Sequence, residues 1–318
     1  MRGIFYNSKK ALCSIWESGY MCYKALSSSS IYSLEYSEEN YIDFDNLHDF
    51  VIINQHHFTN NWININLINK LKSLNILTFC IVTEVGLTCD VISNSFPYFH
   101  HYIVIDPTII ETNNIHSFPR PLENSYIVNP PDVSLSIIKV GSFGFATPGK
   151  DWSKIVECVH NEFDDAEIHF NIPRGTFVPV EIHNNNINEI ITKSKNIITK
   201  PGIILKITQD VLTKQEIINF CTSNTINCFF YNRNYSCGLS AVTDQAIVSE
   251  KPLLVTGDLT FRHIHKYIDY YPNINIKDAI VKNVEGVKKM KEDWGCNNFL
   301  IKFEQILKNQ EDWPKVTI

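Results

Sequence analysis

The stretch Ile137–Phe163 reads IIKVGSFGFATPGKDWSKIVECVHNEF. A short apolar run, Ile137–Val140, opens it. Three glycines follow, Gly141, Gly144 and Gly149, and then an amphipathic run from Trp152 to Phe163. Strand, glycine loop and helix in that order make a phosphate cradle. Glycine lets the backbone approach an anion, and a helix N-terminus offers free N–H groups and the positive end of its dipole. Lys150, beside the loop, adds a point charge suited to a phosphate. The bland alternative is an ordinary strand–helix turn with a solvated lysine, and the motif alone does not separate the two. A dinucleotide fingerprint usually follows the first strand of a domain, so a loop this far along the chain implies a second α/β domain.

Outward from that loop, apolar runs alternate with helical patterns in both directions. Phe50–Asn54, Ile76–Val82 and Tyr102–Ile105 read as buried strands, and Trp62–Leu74 as a helix. Pro119, Pro121, Pro130 and Pro131 crowd a candidate hinge. Beyond it, strands are expected at Ala166–Phe170, Gly202–Ile207, Ile226–Tyr231 and Pro252–Val255. Helices are expected at Ile187–Lys195, Lys214–Cys221 and Val242–Val248, with a mostly helical tail over Val281–Lys308. Continuous rather than alternating apolar runs argue for parallel sheets covered by helices on both faces.

The 318 residues suffice for two domains, and 44% hydrophobic with 19% charged residues is an ordinary globular balance. A net charge of -6 argues against a general nucleic-acid binder. The nine cysteines show no CxxC pair and no zinc spacing, which points to free thiols in a reducing cytoplasmic setting. The N-terminus lacks the apolar core of a signal peptide, and no run is long enough to span a bilayer. Peripheral membrane contact stays compatible with the sequence.

In parallel α/β sheets ligands bind beyond the carboxyl ends of the strands. That rule selects Asn54–His57, Thr83–Gly86 and Asp106 in the first half. In the second half it selects Gly141–Lys150, Asn171–Arg174, Tyr231–Ser240 and Gly257–Arg262. A strand ending at Tyr231 leads through Arg233 and Gly238 into a small-residue helix with Asp244 and Gln245. The N–H groups of Ser240 and Ala241 are placed to meet a pyrophosphate, and Asp244 and Gln245 to accept from sugar hydroxyls; the alternative is simple capping. Arg262, His263 and His265 read equally as a cationic patch or as a surface helix start.

Taken together, the VGSFGFATPGKDW segment and the Gly238–Pro252 helix resemble the donor-binding half of GT-B glycosyltransferases, the retaining, nucleotide-sugar-dependent, family 4-like kind. The resemblance implies two Rossmann-like domains facing each other across a cleft. Residues 1–130 would be the acceptor domain and 131–292 the donor domain, with 293–318 crossing back to the first. It implies sugar transfer from a nucleotide diphosphate-sugar to a hydroxyl acceptor, most naturally a glycan, with no cofactor and no essential metal. The implied donor contacts are Gly141, Ser142, Phe143, Lys150, Tyr231, Arg233, Gly238, Leu239, Ser240, Asp244, Gln245 and Arg262. Glu84 and His56 are the catalytic candidates; His57 points the other way from a strand. Ser14, Glu17 and Gly19, in an early turn over Cys13–Gly19, are the acceptor candidates. Each also has a structural reading, as a strand-end or turn residue.

Two departures stand out. Ser142 occupies the place of the family's phosphate-binding arginine, leaving Lys150, with Arg233 or Arg262 as substitutes. Gln245 stands at the second donor-binding glutamate, and the first finds no match in Tyr235–Cys237. These departures support a rival reading, a non-catalytic module of the same shape that binds a nucleotide or glycan. A sugar-nucleotide epimerase is a further rival.

Overall fold

The six residues of β3, Phe50–Gln55, and of β4, Leu77–Val82, are all buried, as unbroken apolar runs demand when both faces of a strand are covered. The structure is a computed structural model. It describes residues 1–9, 14–44, 48–56, 62–86, 98–123, 137–176, 178–233 and 238–309. His57, Cys13, Tyr235–Cys237, Pro130 and Pro131 lie outside the described residues.

The chain divides into two compact units. The first comprises Met1–Glu123, Ser236–Leu239 and Trp294–Ile318. Its parallel sheet contains β1 (Arg2–Tyr6), β2 (Ser33–Ser37), β3, β4, β5 (His101–Val104) and β6 (Ile115–Ser117), in the order β2-β1-β3-β4-β5-β6. The direction of chain progression reverses between β1 and β3. The early turn expected over Cys13–Gly19 is instead the start of helix α1, Ser14–Leu26. Ser14, Ser18 and Gly19 read locally as turn residues, but Gly19 serves close packing: a Cβ there would lie 2.2 Å from Asn54 Nδ2 and 2.3 Å from Asn7 Oδ1. Helix α2, Ile65–Ser73, is capped by Asn64, whose side chain accepts from the Leu67 N–H at 3.0 Å.

The second unit comprises Asn124–Tyr235 and Ser240–Asp293. Its sheet contains β7 (Ile138–Phe143), β8 (Ala166–Asn171), β9 (Ile203–Thr208), β10 (Ile226–Phe229) and β11 (Leu253–Val255), ordered β11-β10-β7-β8-β9, all parallel. Helices α3 (Trp152–Glu162), α4 (Val180–Ile197), α5 (Lys214–Ser223), α6 (Val242–Val248), α7 (Ile276–Lys282) and α8 (Val284–Asp293) accompany it. Asp151 caps α3, accepting from Lys154 N–H at 3.1 Å, and Thr213 with Glu216 forms a capping box on α5.

The last helix, α9 (Cys296–Lys308), belongs to the first unit. Phe299, Phe303, Ile306 and Leu307 enter one core with Phe5, Phe50, Phe79 and Phe118. The spacing of these four is the helical one that the tail of the sequence advertises. Among the described residues no helix is long and apolar enough to cross a membrane.

Strand β7 runs three residues past its expected end at Val140. Gly141 therefore sits inside the strand rather than in the loop, and a Cβ there would lie 1.8 Å from Asn224 Nδ2. Asn224 in turn donates to Asn227 Oδ1 at 2.9 Å, and Asn227 donates to the Cys221 carbonyl at 3.1 Å. Gly141→Ala is expected to cost about 2 kcal/mol of stability by overpacking this buried amide pair. Urea denaturation measures it, and an unchanged midpoint would show that the strand can yield there.

Candidate functional site

Order reversal in an open parallel sheet splays the loops on either side of it and leaves a crevice at their carboxyl ends. In the second unit the reversal lies between β7 and β10. The two loops singled out in the sequence are the ones that follow those strands. They meet: Lys150 and Tyr231 form an antiparallel bridge, the Asp151 N–H donates to the Phe230 carbonyl at 2.8 Å, and the Asn232 N–H donates to the Gly149 carbonyl at 2.8 Å.

The loop proper starts at Gly144. Gly144 and Gly149 have φ of 128° and 81°, in the left-handed region that favours glycine. Close approach reinforces the requirement, since a Cβ on Gly144 would lie 2.7 Å from Lys150 Nζ, and one on Gly149 2.8 Å from Arg233 Cγ. The turn thus folds over two cations. Lys150 Nζ lies 5.5 Å from the centre of the Tyr231 ring, and the Arg233 guanidinium carbon 4.6 Å from it. Burial, and secondarily the charge of Arg233, pulls the Lys150 ammonium down to about 7 from its ordinary 10.5. Arg233 Nη2 donates to Thr147 Oγ1 at 3.3 Å, and its backbone N–H to Asp258 Oδ2 at 2.7 Å. Tyr231 is held by Thr256, whose hydroxyl donates to its carbonyl at 2.8 Å.

Two open cavities border this pair. One, of about 400 Å³, is lined by Thr147–Ser153 and by Asn186, Glu189 and Lys193 of α4. The other, of about 460 Å³, is lined by Phe230–Arg233, Thr256–Leu259 and Tyr271. The wall formed by Thr256 and Asp258 lies at the end of β11, where the strand-end rule selects Gly257–Arg262; of these only Arg262 is among the implied donor contacts.

The other candidates in this unit are distributed as follows. Gly141, Ser142 and Phe143 are buried in β7; Phe143 packs edge-on against Phe229 with ring centres 5.3 Å apart. The Ser240 N–H, expected to face a pyrophosphate, donates instead to the Thr260 carbonyl at 3.0 Å, and its hydroxyl donates to the Tyr231 hydroxyl at 3.1 Å. A hydrogen bond already made inside the fold is not open to an anion. Asp244 and Gln245 lie half-buried in α6, and the Gln245 Oε1 is buried with no hydrogen-bond partner among the described residues. Arg262 is buried and donates to the Leu259 carbonyl at 2.8 Å. No surface helix starts at the neighbouring histidines: His263 is buried, and His265 contacts the Thr256 carbonyl at 3.1 Å.

In the first unit the reversal lies between β1 and β3. His56 and Glu84 follow β3 and β4 and pair, Nε2 to Oε2, at 3.4 Å. The Glu84 side chain is 53% exposed, so its carboxylate remains reachable. Gly238 and Leu239 group with this unit, and the Gly238 N–H donates to the Val85 carbonyl at 3.2 Å. Ser14 is exposed and Glu17 half-buried on α1, whereas Gly19 faces the buried Asn7–Asn54 pair. Asn54 Nδ2 donates to Asn7 Oδ1 at 2.8 Å and to the Ile15 carbonyl at 3.0 Å. Among the described residues no group of three His, Cys, Asp or Glu could hold a metal ion.

No protein-family model matches the sequence, and no curated protein matches it. Solved structures match its fold over nearly the whole chain. Anabaena HepE in complex with UDP is 7% identical at a TM-score of 0.65, over 97% of this chain and 100% of that one. The lipopolysaccharide outer core galactosyltransferase WaaB is 11% identical at 0.62, over 98% and 100%. An alpha,alpha-trehalose-phosphate synthase (UDP-forming) from Burkholderia xenovorans, in complex with glucose-6-phosphate, is 8% identical at 0.61, over 96% and 99%. The two all-parallel sheets and this full-length likeness establish the GT-B fold for this chain.

Proposed function

We propose that this protein transfers a sugar from a nucleotide diphosphate-sugar to a hydroxyl acceptor, in the manner of the glycosyltransferases whose fold it shares. One observation carries the reading: the loops on either side of the second unit's switch point bring Lys150 and Arg233 together on the Tyr231 ring. Among the described residues no carboxylate pairs with Lys150. Burial that depresses the Lys150 ammonium is offset when an anion sits beside it, and a diphosphate supplies that charge. The two cations would stabilise the leaving diphosphate as the glycosidic bond breaks. The reading needs no metal ion, because the side chains provide the positive charge.

Arg233 takes the part that Ser142, buried in β7, does not play. Tyr231, Asp244, Gln245 and Asp258 complete the proposed donor set. Glu84, oriented by His56, is proposed to accept the proton from the acceptor hydroxyl or to bind a sugar hydroxyl. Retention of configuration is part of the same proposal and rests on the resemblance alone; a cytoplasmic setting is proposed from the cysteine pattern.

Titration calorimetry with UDP, GDP and ADP tests the donor site, followed by an assay for hydrolysis of the matching nucleotide-sugar. Absence of binding to every diphosphate would remove the reading, and binding without turnover would favour a non-catalytic module. Glu84→Gln is expected to lower turnover about 100-fold. Its thermal midpoint should stay unchanged, because the side chain is half exposed. Unaltered turnover would make Glu84 structural.

A further inference from the structure

Tyr231 supplies the aromatic face on which Lys150 and Arg233 meet, and three segments of the second unit hold it in place. From the end of β11, the Thr256 hydroxyl donates to the Tyr231 carbonyl at 2.8 Å, and the Tyr231 N–H donates to Thr256 Oγ1 at 3.1 Å. From the entry to α6, the Ser240 hydroxyl donates to the Tyr231 hydroxyl at 3.1 Å. From the single turn Leu259–Phe261, the Phe261 ring packs on Tyr231 with centres 4.6 Å apart.

Asp258 ties these segments together. Its Oδ1 accepts from the Thr260 N–H at 2.9 Å and from the Thr260 hydroxyl at 2.7 Å. Its Oδ2 accepts from the Arg233 N–H at 2.7 Å. The Thr260 carbonyl in turn accepts from the Ser240 N–H at 3.0 Å. Hydrogen bonds therefore run from Arg233 through Asp258, Thr260 and Ser240 to the Tyr231 hydroxyl, and the chain itself closes the circuit from Tyr231 to Arg233.

Capping alone would use only one of these oxygens. Asp258 is the N-cap of the turn Leu259–Phe261, a task that a single serine oxygen also performs. The second oxygen reaches a backbone N–H 25 residues away in sequence, in a charge-assisted bond. An arginine side chain is long and has much rotamer freedom, so the point from which it starts governs where its guanidinium goes. From this point Arg233 reaches the Tyr231 ring and donates to Thr147 Oγ1 at 3.3 Å. Gly149, where a Cβ would lie 2.8 Å from Arg233 Cγ, keeps the path open.

We infer that Asp258 is a positioning residue of the anion site: one carboxylate oxygen caps its own turn, and the other fixes Arg233 so that its guanidinium stands on the Tyr231 ring with Lys150. With both oxygens engaged inside the fold, Asp258 serves the donor set through Arg233. The identity of the anion rests on the proposed transfer reaction; the hold on Arg233 does not.

Asp258→Ser separates the two tasks, because serine keeps the cap and lacks the second oxygen. Its thermal midpoint should stay close to that of wild type, while UDP affinity, measured by calorimetry, falls about tenfold. Uridine, which has no phosphate, should bind both proteins alike. In an Arg233→Ala background the same substitution should change UDP affinity by less than about twofold, since the group it positions is gone. A readout without ligand tests the hold itself. The Arg233 charge helps to depress the Lys150 ammonium. In Asp258→Ser the Lys150 amine, followed by carbon-13 NMR of labelled lysine, should therefore titrate closer to its ordinary value. Wild-type UDP affinity in the serine variant, an equal loss for uridine, an undiminished loss in the Arg233→Ala background, or an unmoved Lys150 titration would overturn the inference. If wild type binds no diphosphate, the donor reading falls and the titration alone decides whether Asp258 positions Arg233.

Discussion

Lys150→Ala is expected to weaken UDP binding on the order of 100-fold, the range for losing a charge-assisted contact to phosphate. The same substitution should make the free protein more stable at neutral pH. The sign follows from the depressed ammonium. In the folded protein it titrates near 7 rather than 10.5, so the unfolded chain binds the proton more readily below 10.5. Folding is therefore penalised increasingly as pH falls from 10.5 towards 7, and by a constant amount below 7. Alanine removes the penalty. A bound diphosphate reverses it by favouring the charged amine, so UDP affinity should fall as pH rises through about 7. UDP binding at pH 8 should also take up a proton, visible as a dependence of binding enthalpy on the ionisation enthalpy of the buffer. Calorimetry in phosphate and in Tris distinguishes the outcomes. Unchanged affinity in the alanine variant, or no proton uptake with wild type, would remove Lys150 from the anion site.

Phe303→Ala is expected to destabilise the first unit by about 4 kcal/mol. Phe303 is fully buried. Its ring stands 5.0 Å from Phe79, 5.9 Å from Tyr32 and 6.2 Å from Phe50, centre to centre. Deleting it removes the aromatic joint between α9 and the sheet and leaves a cavity that rigid strands cannot fill. Guanidinium unfolding followed by far-ultraviolet circular dichroism measures the loss. A cost below about 1 kcal/mol would mean that the last helix is an accessory rather than part of the core.

Long apolar runs were legible because a strand buried on both faces admits little else. Phe50–Gln55 and Leu77–Val82 are of this kind. The N-terminal strand and α1 were not legible. RGIFY alternates weakly, and SIWESGYMCYKAL starts with residues that locally favour a turn. Only contact with Asn7 and Asn54 shows why a glycine sits inside that helix. Gly141 and Ser142 looked like loop residues because glycine and serine favour turns; pairing with β8 carries the strand through both, to Phe143.

For the site, the sequence by itself determined the alternation of strands and helices, and with it the strand ends where ligands are sought, since periodicity and run length are local properties. It also placed Lys150 and Arg233 at two such ends. The tertiary structure alone decided that these two ends are neighbours, because strand order is set by non-local pairing of β7 with β10 across some eighty residues. It decided too which polar groups are already spent, as with the Ser240 N–H and both Asp258 oxygens. Hydrogen-bond satisfaction is a property of the assembled neighbours, and no single segment of the chain contains it.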